Sequence, residues 1–114
     1  MSASSAVEDI VRQFYALVLA DCDLRGFFDR TDMEIQINRM TRAMLSLVKG
    51  QNIDYEKIAV AHENSVSLGL TDFHFDRVWK YLEQVLLSNG TANDIVEALG
   101  ARLEELRAPI LGRR

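Results

Sequence analysis

Apolar residues recur at steps of three and four along five successive stretches of this chain, and no stretch of comparable length alternates with period two. That regularity restricts the fold to packed helices. Val7, Ile10, Val11, Phe14, Val18 and Leu19 form the first stripe, which Ser5 and Glu8 open at capping-box spacing and which ends near Asp21. A short segment, DLRGFFDR, follows with Leu24, Phe27 and Phe28. Thr31 and Glu34 form a second capping box, ahead of Met33, Ile37, Met40, Met44, Leu47 and Val48, until Gly50. Tyr55, Ile58, Ala59, His62 and Val66 share the third face, which closes before Gly69. Thr71 caps the fourth helix, with Phe75, Val78, Trp79, Leu82, Val85 and Leu86 before Gly90. Thr91 and Asp94 open the fifth, with Ile95, Val96, Leu99, Leu103 and Leu106, until Pro109 stops it. Each large side chain buried contributes about 1.5–3 kcal/mol, so these faces must pack on one another. The fold class is all-α, arranged as a bundle or as a less regular sandwich of helices.

With 114 residues, 48% of them apolar, the chain has material for one core and one domain, residues 1–114. One Pro and six Gly leave little for the turns of a many-stranded fold. The formal charge of −4 is spread over mixed signs with no basic stripe, which argues against nucleic acid as a partner. The apolar runs are too short to span a bilayer, and the N-terminus lacks the pattern of a signal peptide. A single cysteine, Cys22, sits between Asp21 and Asp23, where its thiolate is disfavoured; it reads as incidental, in a reducing, cytoplasmic setting. No phosphate-cradling glycine loop and no Cys-His cluster with metal spacing is present.

Both histidines lie in AVAHENSVSLGLTDFHF, residues 59–75. His62, on an apolar face, reads either as a hydrogen-bonded core histidine or as a ligand. His74 follows a helix cap and is expected to pack or hydrogen-bond near the helix start. Tyr15 on its own is amphipathic-helix filling, and Met33, Met40 and Met44 read as flexible core packing. Trp79 is expected in the core beside the third helix, and ARLEELR as an exposed face with favourable charge pairs.

The run VRQFYALVLADCDLRGFFDRTDMEIQ resembles the truncated, two-over-two helix globins, group I in particular. It carries Phe14-Tyr15, Val18-Leu19, Asp21, Leu24, Phe27-Phe28, Asp32-Met33 and Gln36 in that family's order. Ala61-His62, then Gly69-Leu70-Thr71-Asp72 with His74-Phe75-Asp76, continue the likeness, which covers about residues 5–110. The resemblance implies a truncated two-over-two sandwich whose first short helix is missing. It implies haem b, with His62 as the proximal ligand of the iron. Tyr55, Ile58 and Val66 would flank that histidine. Phe28 would wedge against the porphyrin, Met40 would line the same pocket, and Tyr15 and Gln36 would face a ligand on the distal side. Arg39 or Arg42 could meet a propionate. The implied work is reversible binding of dioxygen, nitric oxide or carbon monoxide, with nitric oxide dioxygenation where an electron donor is supplied.

The same residues leave a second reading open. Met40 stands where many relatives place a glutamine, and the loop before His62 is altered and shortened. Counted on a shorter spacing from Gly69, the proximal position falls on Ser65, which implies no haem. The chain would then be a haem-free globin-fold module for protein contact or sensing, with a homodimer over the patch left by the missing first helix.

Overall fold

The computed structural model describes residues 3–52 and 54–113. Within them the chain forms α1 (Ala3–Ala20), a 3-10 turn (Arg25–Phe28), α2 (Met33–Val48), α3 (Tyr55–Ser67), α4 (Asp72–Ser88) and α5 (Asn93–Ile110). No strand occurs among the described residues, as the helical period requires.

The helix starts depart from the expected caps. Ser5 lies inside α1 rather than ahead of it. The cap of α2 is Asp32, one residue past Thr31, and its carboxylate accepts from the backbone N–H groups of Glu34 and Ile35. A carboxylate at a helix N-terminus also meets the positive end of the dipole, which favours Asp32 over its neighbour. Asp54 does the same for α3 through Lys57 N. Thr71 caps α4 as expected, with His74 in the reciprocal position: its Nδ1 accepts from Thr71 N at 3.0 Å. Thr91 does not cap α5, which begins at Asn93.

Pro109 does not stop α5; it lies in the last turn, and the helix runs on to Ile110. The burial of Leu111 draws the chain past the proline, and Gly112, at φ 76°, then closes the turn. Gly69 and Gly90, at φ 101° and 82°, end α3 and α4 where glycine was expected to do so.

Helix α1 packs on α2 and on α4, α4 on α5, and α2 touches α5, giving two layers of two helices. Between them Val11, Val18, Leu24 and Leu82 are at most 1% exposed. Helix α3 packs chiefly on α5, outside the four-helix core. Trp79 packs against the core as expected, with its indole set against Gly100 of α5.

Candidate functional site

On α1 the helical period brings Tyr15 to the inner face with Phe14, and the phenol is 5% exposed. The two rings meet edge to face, 4.9 Å between centroids. Phe28, the last residue of the 3-10 turn, also meets the Tyr15 ring edge to face, at 5.5 Å between centroids. Gln36, in the first turn of α2, donates from Nε2 to the Tyr15 hydroxyl oxygen at 2.9 Å. Burial pushes the Tyr15 phenol above its ordinary value, and the Gln36 hydrogen bond opposes that only in part. The phenol is therefore protonated at neutral pH. Its oxygen has one partner among the described residues, a donor, so its proton remains available. Met40, one turn after Gln36, is half-buried against the same core.

The second part lies on α3. His62 is half-buried, and its Nδ1 is 2.8 Å from the carbonyl oxygen of Ile58, one turn earlier. A carbonyl can only accept, so Nδ1 is the donor in this contact and Nε2 is the ring nitrogen left to a metal. Metal-bound imidazoles commonly have this arrangement, with the orienting hydrogen bond on the other nitrogen. Ile58 and Ser65 are half-buried with it on one flank of α3, beside buried Ala59. Ser65 lies in the closing turn, where its carbonyl receives the amides of Leu68 and Leu70. Tyr55 is 49% exposed, and Val66 turns toward the end of α5, where it faces Gly112.

Tyr15, Phe28 and Gln36 are thus brought together, while His62, Ile58, Tyr55 and Val66 sit on α3. No hydrogen bond or ring contact joins the two sets among the described residues. At one end a cavity of about 310 Å³ separates the 3-10 turn from the end of α3, with Phe27, Cys22, Leu68 and His74 in its lining. His74 is held by Thr71 and meets the Phe27 ring at 5.0 Å, the packing role expected of it. Among the described residues no three His, Cys, Asp or Glu side chains converge as a metal site, and no helix is long and apolar enough to cross a membrane.

This geometry has close counterparts. No family-wide sequence model matches the chain. It is 27% identical over 114 residues to a group 1 truncated hemoglobin of Tetrahymena pyriformis, covering 99% of this chain and 92% of that one. It is 33% identical over 102 residues to group 1 truncated hemoglobin LI410 of Chlamydomonas moewusii, covering 87% of this chain and 58% of the relative. The structure superposes on the 2/2 hemoglobin of Synechococcus sp. PCC 7002, solved in the cyanomet state with covalently attached haem. That match has a TM-score of 0.84 at 29% identity, over 96% of this chain and 93% of that one. The chain belongs to the truncated, two-over-two haemoglobin family. THB1 of Chlamydomonas reinhardtii is similar too, with a TM-score of 0.80 at 30% identity, over 96% of this chain and 90% of that one. The truncated-haemoglobin fold therefore extends over Tyr15, Phe28, Gln36 and His62 alike.

Sequence reading gave no role to two further features of this truncated haemoglobin. Asp21 receives Arg77 and Tyr81 from α4, partners 56 and 60 residues away that no local pattern reveals. Arg102, expected on an exposed charged face, reaches back to donate to the Gln51 carbonyl at 3.0 Å and so ties α5 to the segment before α3. A long cation within an otherwise apolar stripe was the available signal for it.

Proposed function

We propose that this chain binds haem b and uses it to bind dioxygen or nitric oxide reversibly. The observation that carries the reading is the His62 ring, held through Nδ1 by the Ile58 carbonyl so that Nε2 is the nitrogen left to a metal. Haem, when bound, would supply an iron that an imidazole can ligate and that can bind a diatomic ligand. His62 would hold that iron, with Ile58, Tyr55 and Val66 on its helix. Phe28 and Met40 would meet the porphyrin from the other wall, and Arg39 and Arg42, both exposed on α2, are the cations available to its carboxylates.

Tyr15 supports the ligand-binding part. Its oxygen accepts from Gln36, which leaves the phenol proton for the partly negative atom of a bound ligand. A hydrogen bond with that charge character is worth about 1.5–3 kcal/mol. Each 1.4 kcal/mol is roughly tenfold in a rate or equilibrium, so Tyr15 would slow ligand escape by one to two orders of magnitude. With an electron donor supplied, the same arrangement suits dioxygenation of nitric oxide to nitrate.

The test is the absorption spectrum of the purified chain before and after haemin is added, beside His62→Ala. A sharp Soret band at one haem per chain, shifted or lost in the variant, is the expected result. Weak uptake that His62→Ala leaves unchanged would overturn the assignment. It would favour the haem-free interaction module, for which the apolar side chains exposed on and beside α3, Val60 at 56% and Leu68 at 58%, are the supporting observation.

A further inference from the structure

One buried charge lies outside the site just described. The Asp21 side chain is 3% exposed, at the point where α1 ends. Its Oδ1 accepts from Asp23 N at 2.7 Å. Its Oδ2 accepts from Arg77 Nη1 at 2.9 Å and, in a short hydrogen bond, from the Tyr81 hydroxyl. Its backbone oxygen receives Leu24 N at 3.1 Å and Arg25 N at 2.9 Å, and Leu24 O in turn receives Phe27 N at 3.1 Å. The whole 3-10 turn is thus built outward from Asp21, and its last residue is Phe28, whose ring abuts Tyr15. Arg77 is itself steadied, by Asp23 at 3.2 Å and by the Phe73 ring 4.7 Å below its guanidinium.

A buried carboxylate is a poor device for stability alone, because apolar side chains of the same volume hold a corner as well or better. What three converging donors add is direction: the carboxylate has one orientation, and the turn that leaves it has one path. We propose that Asp21 is the positioning residue of the distal wall, clamped by Tyr81 and Arg77 so that Phe28 holds the Tyr15 hydroxyl in place for a ligand. The ligand part of this inference rests on the haem reading; the clamp itself does not.

The test uses Tyr81→Phe, which removes one donor and keeps the ring, with Asp21→Asn as the stronger lesion. On the chain as purified, amide hydrogen exchange at Leu24, Arg25 and Phe27 should quicken by about tenfold in Tyr81→Phe, while Leu99 in α5 is unchanged. On the haem-loaded chain, dioxygen dissociation should rise on the order of tenfold. Adding Tyr15→Phe to Tyr81→Phe should then raise it little further, because both changes act through one hydroxyl. A corner that merely holds the fold together predicts instead that the two effects multiply, or that Tyr81→Phe leaves dissociation alone; either result overturns the proposal. Should Asp21→Asn fail to fold, Tyr81→Phe answers both questions. Should the parent chain take up no haem, the proposed function falls, and unchanged exchange at the three turn amides would overturn the clamp separately.

Discussion

Tyr15 and Thr41 are both buried hydroxyls, each 5% exposed, and they differ in what meets them. Tyr15 accepts from Gln36, whereas Thr41 Oγ1 has no partner among the described residues. The first was legible in the sequence, because Phe14-Tyr15 and Gln36 stand in a recognisable order. The second was within reach of periodicity, since Thr41 follows Ile37 by one turn, but a stripe traced through apolar residues passes over it. An unsatisfied buried hydroxyl is costly. Thr41→Val should therefore raise the unfolding free energy, by about 1 kcal/mol, measured by urea denaturation at unchanged slope. Tyr15→Phe should act on function instead, with ligand dissociation faster by at least about tenfold in stopped-flow measurements and haem content unaltered.

At the scale of helices, the periodic faces located all five α-helices of the described residues but not the 3-10 turn, and the errors fall at the ends. Capping residues compete within one or two positions, and the competition is decided by which side chain reaches two free N–H groups, as Asp32 does in place of Thr31. Which face meets which helix was less legible, because a stripe does not name its partner. Trp79 illustrates this: a Cβ built on Gly100 would lie 2.8 Å from its Cζ2 atom. Glycine at this crossing lets α4 and α5 approach, at some loss of helix propensity. Gly100→Ala should regain about 1 kcal/mol of that propensity and lose more to overpacking, for which about 1–3 kcal/mol is usual. The expected net result is a lower melting temperature with a shifted emission of Trp79, the one tryptophan of the chain. Trp79→Phe in the same background should restore part of the loss.

For the molecule as a whole, the two-over-two arrangement was legible only through the family likeness, since five amphipathic stripes admit a bundle equally well. The long-range charge contacts were not legible at all. Arg107 of α5 binds Asp72 and Asp76 of α4, beside its local pair with Glu104 that ARLEELR led one to expect, and Arg113 also reaches Asp72. Asp21 is held below the usual carboxylate value, first by the Tyr81 hydrogen bond, and Asp72 by its two arginines. Glu34 and Glu104 are lowered by Arg12 and Arg107. For each, the folded chain binds the proton more weakly than the unfolded one. Their contribution is present above the ordinary carboxylate range and is lost as pH falls through the lowered values. Melting temperature should hold from neutral pH to about 5 and drop steeply below 4, and Asp21→Asn should flatten part of that drop.

The packing of α3 on α5, away from the other pair, makes the helix that carries His62 the least insured part of the molecule. It is fastened along one side and bracketed by glycine turns at Gly50 and Gly69. A prosthetic group seated between α3 and the α1–α2 pair would act as the missing second wall, so loading the group and securing the helix become one event. A protease offered the chain should accordingly cut first between Gly50 and Gly69, and haem should erase that cut before it changes any other. Occupancy could then be read from a gel band as surely as from colour.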